Sequence, residues 1–414
     1  MRLLVVSQYF WPEDFRINEL VSELRSRGHV ITVLTGKPNY PSGHTYPEYA
    51  AAPERFNAYD SDVRVVRVPM LARGRGRVRL LLNYLTFAVS ASVIGAARIA
   101  DMEFDSIFVF EPSPVTVGLP AVWLRARKGW PIALWVLDQW PESLAAVGVV
   151  RSRTLLGVVG RLVRFIYSRC DVILSPSRSL IPRIAGYCKV GQRVEYFPNW
   201  AESVYDAEDG EAAPELLGLD AAFTVLFAGN VGEAQDFPAI LDAAEQLKTR
   251  RDIRWVIVGD GRMADWVSEQ ISRRGLSSNI ILLGRFPPER MPSFFRCADA
   301  LLVSLKSDPV FTMTAPGKIQ SYLAFGRPIL AMLDGEGAAI VSESQAGLVG
   351  AAGDSARLAE NVLRLAALTT DARLAMGRKG EEYARREFSR TGLVANLEQW
   401  LTEIASDRRA GRKS

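Results

Sequence analysis

The chain opens on a pattern that leaves few folds available. Residues 2–7, with Leu3, Leu4, Val5 and Val6 apolar in succession, read as a strand buried on both faces. A loop over 8–14 follows, then a helix in which Ile17, Leu20, Val21 and Leu24 recur at i, i+3, i+4 and i+7. Gly28 suits the end of that helix, and 30–35 is the next buried strand. A strand–helix–strand opening of this kind predicts a parallel sheet with helices on both faces. The loops that leave such strands gather at the carboxyl edge of the sheet, where α/β proteins bind ligands. Further strands are expected at 63–68, 106–110, 132–137 and 172–175, with a helix over 155–168. Between about 198 and 214 the rhythm stops. Glu202, Asp206, Glu208, Asp209 and Glu211 crowd a stretch without periodicity that reads as an interdomain linker. A second series then starts, with strands at 224–228, 254–258, 280–283, 300–304 and 329–333 and helices at 238–247 and 290–297. From 358 to about 406 the pattern is mostly helical, and the basic tail Arg408–Lys413 is expected to be disordered. At 414 residues the chain exceeds one typical core, so two domains are expected, 1–200 and 214–388, with a C-terminal helix near 390–410.

Composition excludes several functions. A net charge of +4 is too slight to argue for nucleic acid, and 48% hydrophobic with 23% charged residues is ordinary for a globular protein. The positive charge is uneven. Arg73, Arg75, Arg77 and Arg79, then Arg151, Arg153, Arg161, Arg164 and Arg169, load the first half, either as a solvated face or as a patch for anionic lipid. The run 80–97 lacks charge over a length at the lower edge of a membrane span. It contains Asn83, Thr86, Ser90, Ser92 and Gly95, which favours a packed or partly exposed helix. The apolar run at the start is too short for a secretory leader. Cys170, Cys188 and Cys297 are far apart and are expected to be buried apolar residues in a reducing compartment. With only His29 and His44, no His/Cys metal cluster can be built, and His29 reads as a structural residue in a helix-to-strand turn.

The second half holds the strongest candidate site. Residues 314–328 read as loop, helix start, short helix and tight turn. Pro316 fits the first helical turn, Gly317 lets a ligand come close to the backbone, and Gly326 fits the left-handed position that ends the helix. Free N–H groups at a helix start attract phosphate, and Lys318 adds a full positive charge there. Three more glycine loops follow strands: Gly229-Asn230, Gly259-Asp260-Gly261 and Gly284-Arg285-Phe286-Pro287. Four such segments on one carboxyl edge make a case for a bound nucleotide. The Gly259–Ala264 stretch also matches G-x-G-x-x-A, but it lies on the second strand of its domain and lacks the acidic residue that a dinucleotide site needs. In the first half, Asp138 and Glu142 stand just past a buried strand. They either cap a turn and start a helix, or Asp138 meets a sugar hydroxyl or a reacting proton.

Several stretches resemble the GT-B glycosyltransferases of family 4, most closely the WbuB-like branch. They are Ser7 to Leu20, Leu34 to Pro41, Val136 to Ser143, Phe227 to Asn230 and Pro316 to Pro328, in the family order. The resemblance implies two Rossmann-like domains facing across a cleft, with the last helix crossing back to the first domain. It implies a hexosyl- or N-acetylhexosaminyl-transferase acting in bacterial O-antigen, capsule or exopolysaccharide biosynthesis. The enzyme would retain anomeric configuration without a metal or other cofactor. A UDP-sugar would be the donor and an undecaprenyl-diphosphate-linked lipid the acceptor, at the cytoplasmic face of the membrane. Carried over by position, Gly229, Asn230, Gly317 and Lys318 would hold the diphosphate. Gly259, Asp260, Gly261 and Ser321 would line the donor site, Arg285, Phe286 and Pro287 would hold the base, and Asp138 would lie beside the transferred sugar. Phe15, Arg16 and Asn39 would line the acceptor side. Where many members carry Glu-x7-Glu, this chain has Met313 and Ser321, and the loop after Gly229 lacks the usual cations. Two other readings are a nucleotide-sugar 2-epimerase on the same fold, disfavoured by the two histidines, and a non-catalytic nucleotide-sugar-binding partner of an assembly complex.

Overall fold

The computed structural model describes residues 1–74, 76–146, 152–201, 203–206, 210–216, 218 and 222–411. Arg75, Arg151, Glu202, Glu208, Asp209, Arg412 and Lys413, named above, lie outside the described residues. The chain divides into two compact units, one of residues 1–197 with the chain from Val394 onward, the other Pro198–Leu393.

Unit 1 is built on strands β1 (Arg2–Ser7), β2 (Val30–Gly36), β3 (Ala58–Tyr59), β4 (Val63–Val68), β5 (Ser106–Glu111), β6 (Ile132–Val136), β7 (Val172–Ser175) and β8 (Arg193–Tyr196). Their order is β3-β4-β2-β1-β5-β6-β7-β8. Every pair is parallel except β3 with β4. The order reverses direction between β1 and β5, the switch point of a doubly wound sheet. Its core is aromatic. The Trp135 ring meets Phe110 at 5.5 Å and Phe197 at 4.8 Å, and its indole N–H donates to Phe197 O at 3.1 Å.

The helix Arg390–Gly411 returns to complete unit 1. Val394, Leu397 and Leu401 are fully buried, and Trp400 packs edge-on against Phe197 at 6.1 Å. Polar contacts pin the outside. Glu398 accepts from Arg27 Nη1 at 2.7 Å and pairs with His29 Nε2 at 2.7 Å, while Arg193 pairs with Glu403 at 2.6 Å. His29 therefore does structural work. The basic tail is a correction, because Arg408–Gly411 continue the helix, and Arg408 donates to Phe104 O at 3.3 Å and Lys128 O at 2.7 Å. Arginine at a helix end satisfies carbonyls that a sequence pattern does not reveal.

Unit 2 carries β9 (Phe223–Ala228), β10 (Ile253–Val258), β11 (Ile280–Gly284), β12 (Ala300–Ser304), β13 (Ile329–Met332) and β14 (Gly347–Gly350). All pairs are parallel, in the order β11-β10-β9-β12-β13-β14. One core layer is built around Phe227, Phe237, Trp255 and Leu302, the other around Leu226, Phe294, Phe295 and Tyr322. Residues 198–216 include two 3-10 turns that pack on this unit, with Tyr205 stacked on Phe295 at 5.4 Å.

The apolar runs were enough to predict the central strands. β3, β8 and β14 escaped, because the first is only two residues long, the second is a half-buried edge with alternating charge and the third is bracketed by glycines. The cysteines are a partial correction. Cys170 is buried, but Cys188 and Cys297 keep some exposure. Each thiol points back at the carbonyl four residues before it, on Ile166, Ile184 and Ser293 respectively, which suits the end of a helix as well as a core.

Candidate functional site

The glycine loops of unit 2 are tied to one another by their backbones. Gly229 N–H donates to Val258 O at 2.8 Å, Gly259 N–H to Gly284 O at 2.7 Å, and Val231 N–H to Asp260 O at 2.9 Å. Gly229, Gly259 and Gly284 all have φ in the left-handed range, at 129°, 150° and 74°. The close approach explains the choice of residue at Gly259, where a β-carbon would fall on the carbonyl of Gly229. These loops leave β9, β10 and β11, and β9 with β12 forms the switch point of this sheet, where α/β proteins bind ligands.

The helix Gly317–Phe325 points its start at the same place. Pro316 takes the N-cap position rather than the first helical turn, because its ψ of 136° is extended, and Gly326 ends the helix at φ 74°. Tyr322 fixes the helix to the sheet. Its hydroxyl accepts from Ala228 N–H at 3.3 Å and lies 3.4 Å from the carbonyls of both Ala228 and Leu302. Ser321 is buried, with its hydroxyl donating to Gly317 O at 3.3 Å. Lys318 runs beneath the Gly229 turn. A β-carbon at Gly229 would lie 2.7 Å from its Cε and 3.1 Å from its Nζ. The ammonium sits 3.6 Å from the centre of the Phe227 ring. Among the described residues it has no carboxylate partner. Burial of this uncompensated charge pushes the Lys318 ammonium down to about 7. A cation so placed gains most from an anion that comes from outside the protein.

The other donor-side residues play smaller parts. Asn230 is exposed and its amide donates to Gln235 Oε1 at 3.3 Å. Asp260 is exposed and caps its own turn, accepting from Gly261 N–H at 2.7 Å. Arg285 and Pro287 are exposed beside Gly284, and Phe286 packs edge-on against Phe294 at 4.7 Å. A β-carbon on Gly317 would meet nothing within 4 Å, so the backbone there is open.

Unit 1 gathers a second group at its own carboxyl edge. Phe15 stacks on Tyr9 at 5.1 Å and tilts against Tyr40 at 5.0 Å, and Arg73 lies over Tyr40 at 5.3 Å. Phe15 caps the helix that begins at Arg16, which is half-buried. Asn39 is buried and spends its amide on the backbone, accepting from Arg73 N–H at 2.8 Å and donating to Lys37 O at 2.8 Å. As placed, it shapes the loop. Glu13, unremarked in the sequence, gathers the N–H groups of Asn39 and Tyr40, each at 2.7 Å, and burial pushes its carboxyl up to about 7. Asp138 is half-buried and accepts from Trp140 Nε1 at 3.0 Å, while Glu142 begins the short helix Glu142–Ala146 and accepts from Tyr187 OH at 2.9 Å. Asp138 belongs to unit 1 and Lys318 to unit 2.

Sequence reasoning missed Glu111. It ends β5 and is fully buried, and among the described residues its carboxylate oxygens have no well-formed hydrogen bond, with only the Asp138 backbone N–H near enough to favour the charged form. Burial first, and the charge of Asp138 second, hold it well above its ordinary value of 4.5. One charged residue at the end of an apolar strand was the available signal. The consequence for stability has a definite sign. Above about pH 4.5 the unfolded chain loses a proton at Glu111 that the folded protein keeps, so folding weakens as pH rises, by up to about 1.4 kcal/mol per pH unit. Glu111→Gln has no proton to lose. Its melting temperature relative to wild type is expected to climb between pH 5 and pH 8, and a difference independent of pH would show that Glu111 is ionised in the fold.

Known proteins share this architecture. Residues 15–200 match the family described as glycosyl transferase 4-like domain, and residues 222–367 match glycosyl transferases group 1. The chain is 25% identical over 341 residues to the putative colanic acid biosynthesis glycosyl transferase WcaI of Escherichia coli strain K12, covering 79% of this chain and 82% of that one. Over a shorter stretch, 28% of this chain and 31% of the other, it is 27% identical to a lipopolysaccharide 1,2-N-acetylglucosaminetransferase of Salmonella typhimurium. Among solved structures, sucrose-phosphate synthase of Thermosynechococcus elongatus aligns with a TM-score of 0.71 at 13% identity, over 98% of this chain and 99% of that one. Anabaena HepE in complex with UDP and glucose aligns with a TM-score of 0.66 at 14% identity, over 97% and 100%.

Proposed function

We propose that this chain, which belongs to the GT-B glycosyltransferases of family 4, transfers a hexosyl or N-acetylhexosaminyl unit from a UDP-sugar to a lipid-linked acceptor. The acceptor would carry undecaprenyl diphosphate, and the product would enter a bacterial surface polysaccharide such as O-antigen, capsule or exopolysaccharide. The observation that carries the reading is the Lys318 ammonium beneath the Gly229 turn, at the start of an open helix, with no carboxylate partner among the described residues. Anomeric configuration would be retained, and Lys318 with the helix N–H groups, rather than a metal ion, would take the charge of the departing diphosphate. The aromatic group around Phe15 and the carboxylate of Asp138 offer unit 1 a way to hold a sugar acceptor. The WcaI relative, named for colanic acid biosynthesis, supports a polysaccharide role, and the HepE complex supports UDP as the nucleotide. The same reading puts the enzyme at the cytoplasmic face of the membrane and in the WbuB-like branch.

The first test is thermal stabilisation by UDP-, GDP-, ADP- and dTDP-sugars. A ligand at 100 times its dissociation constant stabilises by about 2.7 kcal/mol, which a melting curve resolves easily. UDP-sugars are expected to give the largest shift. A shift with ADP-sugars alone would move the donor assignment, and no shift with any nucleotide would end the reading. A non-catalytic binding role is the second reading, because Met313 and Ser321 replace glutamates at the donor site and the Ser321 hydroxyl is turned back onto its own helix. UDP binding without transfer to any lipid acceptor would favour it.

A further inference from the structure

We propose that the face of unit 1 formed by the helices Val78–Arg98, Gly118–Lys128 and Arg153–Tyr167 seats the protein on an anionic lipid surface, with the first of these lying in the plane of the interface.

The Val78–Arg98 helix has two unlike sides. Asn83, Phe87, Ala91 and Gly95 are buried, and Gly95 is packed so closely that a β-carbon there would lie 2.7 Å from Leu34 Cδ1. On the far side Leu81, Leu85, Val89 and Val93 recur every four residues and are 53%, 42%, 64% and 61% exposed. A helix of a water-soluble surface carries polar residues at such positions. The helix is 21 residues long and contains an 18-residue stretch with a mean hydropathy of 1.7, enough to cross a membrane by length and composition. Spanning would tear its buried side away from β2 and β4, whose Leu34 and Val68 it contacts. Lying flat keeps those contacts and buries the exposed stripe.

The two neighbouring helices extend the surface. The first packs on Gly118–Lys128, and that one packs on Arg153–Tyr167, where a β-carbon at Gly118 would meet Ile166 at 2.6 Å. Trp123 and Phe165 stand out from them, 41% and 42% exposed. Sixteen large apolar side chains are exposed among the described residues, and eleven of them sit on these three helices. Scattered exposed apolar residues need no explanation, but a concentration on one face does.

Charge selects the occupant. The chain has 46 acidic residues, yet none falls within the three helices. Arg79, Arg127, Arg161 and Arg164 are exposed there, and the Arg127 guanidinium lies 4.4 Å from the Trp123 ring, an aromatic–cation pairing suited to the headgroup level. An apolar stripe among arginines with no acid fits phosphate headgroups over acyl chains. A surface of this kind would bring unit 1 to where a lipid-linked acceptor is found, and in that respect it rests on the function proposed above.

The test uses the full chain and vesicle flotation, without any turnover measurement, so it can be read even if the transfer reaction fails. The protein is expected to float with vesicles of phosphatidylcholine containing phosphatidylglycerol, and to float far less with phosphatidylcholine alone. Leu85→Glu with Val89→Glu is expected to lower binding about tenfold or more, with melting temperature and UDP stabilisation unchanged. Arg161→Glu with Arg164→Glu is expected to lower it similarly, at about fivefold for each arginine lost, and to remove the preference for anionic lipid. Brominated lipid is expected to quench Trp123 fluorescence, a signal absent from Trp123→Phe. The proposal is overturned if wild type stays in the soluble fraction with both vesicles, or if the stripe variant floats like wild type. It is also overturned if that variant turns a dimer into a monomer without changing flotation, which would assign the face to a second copy of the chain.

Discussion

Lys318→Ala is expected to lower turnover with a UDP-sugar by about two to three orders of magnitude, the usual loss when one preorganised donor to a developing anion is removed. UDP binding should weaken with it. The variant should fold well, because the desolvated ammonium it deletes has no carboxylate partner among the described residues. The pH dependence gives a sharper check. In the free protein the amine titrates near 7, since burial disfavours its charge. A bound diphosphate favours the charged form, so binding above pH 7 takes up a proton. Affinity for UDP should therefore fall as pH rises, roughly tenfold between pH 7.5 and 8.5, and the slope should vanish in Lys318→Met. Isothermal titration in buffers of different ionisation enthalpy would count the proton directly. Wild-type affinity unchanged over that range would mean the lysine does not touch the diphosphate.

Gly259→Ala should have the largest effect on stability. A β-carbon there collides with the carbonyl of Gly229, a backbone atom that cannot step aside, and φ is 150°, outside the range alanine tolerates. A loss of about 3 kcal/mol is expected from the combined strain. The glycine turns are hydrogen-bonded together, so the damage should reach Lys318, and UDP affinity should drop by about tenfold or more even where the variant stays folded. Urea unfolding with and without UDP would measure both. Gly317→Ala is the control for stability alone, because a β-carbon there meets open space.

The sequence made the strand–helix rhythm legible because both sheets are buried on two faces, and continuous apolar runs such as Val33-Leu34 or Val256-Ile257 have few other uses. The donor-side turns were legible for a related reason, since glycine after a strand marks a conformation other residues avoid. What stayed hidden depends on contacts between distant positions. Nothing local to Glu111 shows that its carboxyl is fully buried beside Asp138, and nothing local to Tyr322 shows that it ties a helix to Ala228 and Leu302. The exposed side of the Val78–Arg98 helix was ambiguous for the same reason. An uncharged run reads alike whether it faces a core or the outside, and only the placement of Phe87 and Gly95 against the sheet settles which side is which.

The helix from Arg390 to Gly411 has an implication for biogenesis. A ribosome delivers the sheet of unit 1 first, but the seat beside Phe197 stays open until residues 394–411 emerge, after all of unit 2 has been made. Throughout that interval the nascent first unit must present to solvent or to a chaperone an apolar groove, together with the surface of Arg27, His29 and Arg193 that Glu398 and Glu403 later cover. Premature termination near residue 390 should therefore be felt as aggregation of the first unit, although every one of its strands would be present.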